Sequence, residues 1–161
     1  MLRSNGFHGR IKSPETNYTF PRLHNIDLSH NSFSGNLPVE YFLHWNAIKV
    51  VGENKSKYMD IYFIGFGLAS VIQYTFKMIN KGIELEYEKI KDAFTVIDFS
   101  SNRFRGEISK LVESLEGLHL LNFSNNGCTG QIPSSLGNLT DIESINLSQN
   151  NLLEEIPQQL T

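Results

Sequence analysis

The sequence of 161 residues has little of what usually assigns a chain to a class. It contains one cysteine, Cys128, so no disulfide can form within the chain, and cysteine pairing says nothing about its compartment. Charged residues make up only 19% and the net charge is −3, which gives no reason to expect nucleic acid or an anionic membrane surface as a partner. With 40% hydrophobic residues, the chain can still bury the core of one domain.

Long apolar segments with the features of targeting or membrane-spanning sequences are also missing. The first residues, Met1–Phe7, hold no basic segment followed by an apolar run, so no signal peptide opens the chain. The one membrane candidate, Ile61–Phe76, is shorter than a spanning helix normally is, and it contains Gly65, Gly67 and Gln73. We expect a buried strand or a hairpin there.

Signatures of catalysis and of metal binding are missing as well. The five histidines are scattered without metal-ligand spacing, and no Ser/His/Asp or Cys/His arrangement stands out. Glu84, Glu86 and Glu88 alternate along one predicted strand, where a solvated face explains them better than paired acid–base chemistry. We therefore expect the chain not to be an enzyme and to need no cofactor.

What the sequence does contain is an asparagine-centred repeat. Alternating apolar residues followed by Ser-x-Asn end at Asn31, Asn102, Asn126 and Asn150, and a partial copy ends at Asn5. The last three full copies are spaced by 24 residues, within the range of leucine-rich repeats. In each copy the alternation predicts a short strand that turns its apolar side chains inward.

The residues after each strand predict the rest of the repeat. An asparagine amide can both donate and accept, so it can satisfy backbone groups that a sharp turn leaves unpaired. Inward residues follow at Phe33, Phe104 and Leu152, and Cys128 takes the same position as an inert core thiol. Prolines such as Pro38 then fix φ where the chain turns to the convex side. Since one repeat cannot bury its face alone, we predict an α/β leucine-rich-repeat right-handed solenoid, a horseshoe segment.

Outward strand positions are the ones that could bind a partner, because the periodic residues are scaffold. On the concave side we expect them at His24, Asn25, Asp27, Ser29, Thr95, Val96, Asp98, Ser100, His119, Leu120, Asn122, Ser124, Glu143, Ser144, Asn146 and Ser148.

An interruption separates two of the repeats. Asn31 and Asn102 are 71 positions apart, and no asparagine ladder fits into the sequence between them. Trp45 is a packing anchor before the break. Alternating runs flank Asn80-Lys81-Gly82, which predicts a β-hairpin. We predict repeats at 1–48, a non-repeat island at 49–92, and further repeats at 93–161.

The repeat Asn-x-Phe-x-Gly-x-Ile-Pro, together with the island, resembles the C-terminal part of the ectodomain of Cf-type plant receptor-like proteins. The likeness covers nearly the whole chain and is carried by Tyr41-Phe42-x-x-Trp45 before the island, by Lys81-Gly82 and Glu86–Ile90 within it, and by Phe94–Asn102 after it. The repeat motif alone would not separate this group from receptor kinases or from secreted polygalacturonase inhibitors.

This resemblance implies a single-pass receptor on the extracellular side of the plasma membrane, acting in defence or development. Such a receptor has no kinase of its own, binds a protein or peptide ligand, and signals through the ectodomain of a co-receptor kinase. The resemblance implies ligand contacts on the island, at Lys81, Gly82, Glu84 and Tyr87. It implies co-receptor contacts on the later repeats, at Asp98, Ser100, His119, Asn122 and Asn146.

Asn-x-Ser/Thr triplets add an expectation of glycosylation. Asn17, Asn54 and Asn138 are the candidate acceptors, whereas Asn122 and Asn146 belong to the repeat and are discounted.

Departures from the family pattern leave two other functions open. Upstream repeats, cysteine-paired caps and a transmembrane helix are missing, so we expect a fragment, and Thr161 ends within a repeat. The alternatives are a secreted inhibitor of a cell-wall-degrading enzyme and a non-functional truncated remnant. Lys12 and Ser109 stand where proline is usual. Glu154 stands where glycine recurs; if that position needs a positive φ, Glu154 costs about 1 kcal/mol.

Overall fold

A computed structural model describes residues 1–14, 19–49, 94–153 and 155–161, together with the backbone of the strands at 60–65, 68–73, 76–80 and 83–87. It contains two compact units. The first joins Met1–Val51 to Thr95–Thr161, and the second is Gly52–Phe94.

Short strands and single-turn helices alternate along the described chain. The strands are β1 (His8–Arg10), β2 (Asn25–Asp27), β3 (Ser32–Asn36), β4 (Asp60–Gly65), β5 (Leu68–Gln73), β6 (Phe76–Asn80), β7 (Ile83–Tyr87), β8 (Val96–Asp98), β9 (Arg103–Glu107), β10 (Leu120–Asn122), β11 (Gly127–Gln131), β12 (Ser144–Asn146) and β13 (Asn151–Leu153). The helices are the 3₁₀ turns η1 (Val39–His44), η2 (Lys110–Ser114), η3 (Ser134–Asn138) and η4 (Gln158–Leu160), and the α-helix α1 (Asn46–Lys49).

Two parallel sheets build the first unit. One has the order β2-β8-β10-β12 and corresponds to the predicted concave strands, and the second has the order β1-β3-β9-β11-β13. We call the latter the second sheet. The short helices η1, η2, η3 and η4 follow β3, β9, β11 and β13 of the second sheet, respectively. This is the α/β leucine-rich-repeat solenoid that the period predicts.

The solenoid is continuous across the interruption. Strand β2 pairs directly with β8, with Ile26 opposite Ile97, and β3 pairs with β9, with Gly35 opposite Phe104. The repeat that contains Asn31 therefore stacks on the repeat that contains Asn102. Within these two sheets, no described strand lies between β2 and β8 or between β3 and β9.

Asparagine side chains join consecutive turns in a ladder. The amide nitrogen of Asn102 donates to the carbonyl oxygen of Leu28 in the preceding turn at 2.9 Å, and to those of Phe99 and Ser100 in its own turn at 3.2 and 3.1 Å. Its oxygen accepts the backbone N–H of Phe33 at 3.0 Å. The same pattern recurs at Asn31, Asn126 and Asn150. The predicted role of these amides is confirmed.

The core lies between the two sheets and the short helices. Phe104 is fully buried, and its ring packs on Phe33 and Phe99 with ring centroids 6.3 and 5.8 Å away. Trp45, the predicted anchor, is 3% exposed and stacks on Phe42 at 5.5 Å. Cys128 is buried as predicted, and this burial raises the pKa of its thiol to about 11, so the thiolate is disfavoured.

Two backbone positions recur with a positive φ among the described residues of the repeats. One is the recurring glycine, with φ of +81° at Gly106. The other is the residue before the ladder asparagine, with φ of 53° at His30 and 52° at Ser101, where no glycine marks it in the sequence. Glu154, which stands at the glycine position, lies outside the described residues, and its cost stays a prediction.

The turns onto the convex side begin as the sequence indicates, and one begins without proline. Pro133 precedes η3 with φ −63°. Ser109 precedes η2 with φ −68°, and its hydroxyl accepts the backbone N–H of Leu111 at 3.2 Å. The serine thus supplies a side-chain cap where proline would supply only the dihedral.

The second unit contains two antiparallel hairpins. Strand β6 pairs with β7 from Phe76 opposite Tyr87 to Asn80 opposite Ile83, which confirms the predicted hairpin. Strand β4 pairs with β5 in the segment that was the membrane candidate. Within the described residues, no helix has the length and apolarity needed to cross a bilayer.

Candidate binding surface

A row of short polar side chains crosses the concave sheet at one register. Asp27, Asp98, Asn122 and Asn146 face one another on the four neighbouring strands. The Asn122 amide nitrogen donates to an Asp98 carboxylate oxygen at 3.3 Å. We call these four residues the concave polar row. Because parallel pairing repeats in register, the fold places identical positions side by side.

A serine two residues later is tied to each member of this row. The backbone N–H of Ser100 donates to Asp98 at 2.9 Å, and that of Ser124 donates to Asn122 at 3.1 Å. The Ser124 hydroxyl donates to the same Asn122 oxygen at 2.8 Å. These bonds fix the side chains before any partner binds.

Burial affects the pKa of Asp98, near the centre of the concave polar row. Desolvation raises the pKa of the Asp98 carboxyl, hydrogen bonds from Ser100 and Asn122 oppose this, and the neighbouring charge of Asp27 adds to it. The folded state therefore holds the Asp98 proton more tightly than the unfolded chain does. Its contribution to stability is unfavourable at neutral pH and becomes less so as the pH falls through the raised pKa.

Replacing Asp98 by asparagine should remove this pH dependence. We expect Asp98→Asn to unfold within about 1 kcal/mol of the parent at pH 7, because Asn122 and Asn146 already fill equivalent positions. The parent should then gain stability relative to the variant between pH 7 and pH 4.5. Urea unfolding at both pH values measures this difference.

The reverse exchange supplies the control. Asn122→Asp places another carboxylate beside Asp98 at a fully buried site, so it should destabilise the chain at neutral pH and recover on acidification. A parent that loses stability relative to Asp98→Asn as the pH falls would contradict the assignment.

The structure corrects the expected exposure of the central concave residues. Asp98 and Ser100 are each 3% exposed and Asn122 is fully buried, so these side chains are not open to solvent as an outward position would suggest. Their burial is tolerated because protein groups take the place of water: the Asp98 carboxylate accepts the backbone N–H of Ser100 in its own turn and the Asn122 amide of the next turn. Their role as co-receptor contacts stays a prediction.

His119 is half-buried and held in place beside Thr95. Its Nδ1 lies 3.0 Å from the Thr95 hydroxyl and 3.1 Å from the carbonyl oxygen of Gly117. The Thr95 hydroxyl in turn donates to the same Gly117 oxygen. One ring edge is thereby committed to the scaffold, which fixes the direction of the other.

The side chains at the last concave strand are more exposed than those at the centre of the concave sheet. Glu143 and Ser148 are exposed, while Asn146 is half-buried and its oxygen accepts both the backbone N–H and the hydroxyl of Ser148, at 3.1 and 2.8 Å. We call His119, Ser124, Glu143, Asn146 and Ser148 the post-island face. It combines a ring, hydroxyls, an amide and a carboxylate that the scaffold presents to solvent.

The remaining predicted residues lie apart from this face or outside the description. Glu84 and Tyr87 belong to β7 by backbone, opposite Ile79 and Phe76, whereas Lys81 and Gly82 lie outside the described residues. Asn138 is exposed at the end of η3, where its amide nitrogen donates to a Glu113 carboxylate oxygen at 3.5 Å, while Asn17 and Asn54 lie outside the described residues. Their assignments as contacts and as acceptors stay predictions.

Sequence reasoning overlooked the outer face of the second sheet. Arg10, Arg103 and Arg105 all point outward there and are exposed. The alternation Arg103-Phe104-Arg105 carries the signal, because a buried phenylalanine in a strand places both of its neighbours on the opposite face.

Two parallel sheets, consecutive turns joined by an asparagine ladder, and polar side chains along the concave strands define a leucine-rich-repeat solenoid. The Leucine Rich Repeat family matches residues 22–42, 117–139 and 141–161. Two solved structures from Arabidopsis thaliana share the fold. The BIR2 ectodomain has a TM-score of 0.62 at 23% identity, over 98% of this chain and 57% of that one. The BIR3–SERK2 complex has a TM-score of 0.61 at 22% identity, over 99% of this chain and 59% of that one.

Closer likeness is found among plant receptor-like proteins. Receptor-like protein 53 of Arabidopsis thaliana is 46% identical over 121 residues, which are 75% of this chain and 12% of the relative. Receptor-like protein 35 is 47% identical over 118 residues, again 12% of the relative. The chain belongs to the plant leucine-rich-repeat receptor-like proteins, and it spans about an eighth of the length of these relatives.

Proposed function

We propose that this chain is an extracellular binding segment of a plant cell-surface receptor that takes part in defence or developmental signalling. It would act on the outer side of the plasma membrane as part of a single-pass receptor. Its partners would be a protein or peptide ligand and the ectodomain of a co-receptor kinase. The likeness to receptor-like proteins supports the assignment to a receptor. The arrangement of the solenoid supports separate contacts for the ligand and for the co-receptor.

The proposal rests on the continuity of the asparagine ladder between the repeats before and after the interruption in the sequence. Asn102 bonds to Leu28 and Phe33 as if they were in the preceding 24-residue repeat. Residues 52–94 are therefore not needed to complete the stacking between these repeats. An insertion that the ladder does not need is available for recognising a ligand, and Lys81, Gly82, Glu84 and Tyr87 are its candidate contacts.

Related folds support protein and peptide partners. The receptor kinase HAESA, with a TM-score of 0.56, was solved with the peptide hormone IDA, and another HAESA structure contains the co-receptor SERK1. The BIR3 ectodomain was solved with SERK2. For this chain we propose the post-island face as the co-receptor contact, because hydrogen bonds hold His119, Asn146 and Ser148 in place and every residue of the face is at least partly exposed.

A binding measurement with the SERK2 ectodomain tests the proposal. We expect saturable binding to the chain, weakened about tenfold by Glu143→Arg, because a reversed charge in an interface costs affinity and specificity. Glu116→Arg is the matched control, since Glu116 is exposed on the loop after η2 and is not one of the residues of the post-island face. This control should bind within about twofold of the parent.

Other outcomes would select the remaining functions. Equal weakening by both variants, or no saturable binding, would contradict the post-island face as the contact. Inhibition of a polygalacturonase by the chain at micromolar concentration would replace the receptor function with that of a secreted inhibitor. A chain without a cooperative unfolding transition would favour the remnant.

A further inference from the structure

The outer face of the second sheet carries a positive surface that neither the concave strands nor the ladder uses. Arg10, on β1, and Arg103, on β9, lie on strands that both pair with β3, and both are in register with Ser34. Arg105 stands two residues beyond Arg103, opposite Asn36. The three arginines therefore lie on β1 and β9, on either side of β3 in one continuous sheet.

Two of the three arginine side chains lie across the backbone of the next strand. Gly35 has no Cβ, and one placed there would meet Cγ of Arg10 at 2.8 Å. Gly127 is similar, since a Cβ would meet Cγ of Arg105 at 3.4 Å. Glycine at these positions lets the arginine stems lie flat, which orders them and directs the guanidinium groups along the sheet.

Within the part of the chain that the structure describes, none of these three arginines has a carboxylate partner. Glu107 is the one acidic residue on the described strands of the second sheet. It follows Arg103 and Arg105 on the same face of β9, and its stem lies across Gly130 of β11 while that of Arg105 lies towards Gly127, so Glu107 is on the side of the arginines away from Arg10. Positive charge thus accumulates locally on a chain whose net charge is −3. Such a patch favours an anionic partner.

The arginines line a groove of about 510 Å³ together with Ser34, Gly35 and Asn36. We call these six residues the arginine groove. It has no aliphatic or aromatic side chain among its lining residues. An acidic peptide would leave its apolar side chains without a pocket, whereas a sugar chain offers carboxylates to the guanidinium forks and hydroxyls to Ser34 and Asn36.

The spacing of the charges fits an extended polymer. Neighbouring strands lie about 4.8 Å apart, so Arg10 and Arg103, two strands apart, are about 10 Å apart at their backbones. Arg103 and Arg105 are separated by about 7 Å along β9. Several anionic groups at regular intervals would be needed to engage all three, which a single carboxylate cannot do.

We propose that the arginine groove binds an acidic polysaccharide, a chain of sugars that carry carboxylate groups. Binding there is independent of the proposed co-receptor contact, because the groove lies on the second sheet and the post-island face on the concave one. It would let the solenoid contact a carboxylated matrix and a protein partner at once.

Titration calorimetry with an unesterified oligogalacturonate tests this proposal on the whole chain. The triple variant Arg10→Ala/Arg103→Ala/Arg105→Ala should bind at least about tenfold more weakly than the parent, since exposed charge pairs add modestly but act together here. Arg22→Ala, an exposed arginine outside the groove, should bind within about twofold of the parent. Raising the salt concentration should weaken the parent and leave the triple variant nearly unchanged.

Two further probes decide the class of partner. The methyl-esterified oligomer, which lacks the charge, should not bind measurably, and binding equal to that of the acid would overturn the proposal. A poly-glutamate of equal charge should bind more weakly than the sugar, and tighter binding would replace the polysaccharide with an acidic peptide. Should the triple variant fail to fold, the single exchange Arg103→Glu at this exposed position is expected to give the same loss; binding like that of the parent would overturn the proposal.

Discussion

Replacing Asn102 by alanine should lower the free energy of unfolding by about 3 kcal/mol or more, the largest effect we expect from a single polar side chain. The amide gives up bonds to three carbonyl oxygens, and the backbone N–H of Phe33 loses its acceptor at 3.0 Å. These groups are partly or fully shielded from water, so the loss leaves them unsatisfied. Urea unfolding followed by circular dichroism measures the difference.

Asn5 is the matched control for this exchange. Its amide contacts only the carbonyl oxygens of Leu2 and Arg3, and the residue is exposed, so Asn5→Ala should cost less than about 1 kcal/mol. Asn102→Asp keeps the acceptor for Phe33 but sets a negative charge against the carbonyls, and should be at least as damaging as alanine. Equal costs for Asn102→Ala and Asn5→Ala would show that the ladder does not join the two parts of the solenoid.

Phe104→Ala should cost about 3–5 kcal/mol, because it empties the middle of a row of aromatic rings. The Phe104 side chain is fully buried, and its ring is nearly parallel to that of Phe33, with an interplanar angle of 13°. The cavity would open where the turn that precedes the interruption packs on the turn that follows it. Chemical unfolding of the variant and the parent under identical conditions gives the difference.

Phe7 offers the comparison at the end of the same row. Its ring stacks on Phe33 at 6.0 Å, but the residue is 42% exposed, so Phe7→Ala should cost about 1 kcal/mol. Phe104→Leu should retain most of the stability, because the cavity it leaves is small. If both alanine variants unfolded at the same denaturant concentration, the row would not form part of the central core.

Local chemistry made much of this fold predictable. An asparagine amide can both donate and accept hydrogen bonds, and stacked turns bring backbone partners to both groups. The recurrence of Asn102, Asn126 and Asn150 therefore indicates the ladder. A hairpin between β6 and β7 follows from alternation around a turn. Inward positions such as Phe104 and Cys128 follow from their fixed distance to the asparagine.

Other features depend on information that no single segment contains. Alternation separates two faces of a strand, but it does not tell whether the outer face is open, and so the burial of Asn122 escapes it. The positive φ at Ser101 falls on a residue that has no local preference for it, so the sequence does not mark this position. The direct pairing of β2 with β8 joins distant parts of the chain, and the repeat period does not predict which distant strands pair.

The candidate site shows the same division. Sequence comparison by register brings Asp98, Asn122 and Asn146 together, and the structure places them side by side as expected. Which of them reaches solvent is decided by packing, and only Asn146 does so to a substantial degree. The arginine groove requires three strands to be adjacent, one of which lies on the other side of the interruption in sequence.

The pairing of β2 with β8 also bears on how much the length of the insertion between them can vary among related chains. Closing a flexible loop costs free energy that grows only with the logarithm of its length. Bringing Asn31 against Asn102 across 71 residues, and not across the 24 of an ordinary repeat, adds only about 1 kcal/mol by this relation. Related chains could therefore lengthen, shorten or exchange this insertion at nearly constant stability, which makes it the part of the solenoid where recognition can diversify without refolding the rest.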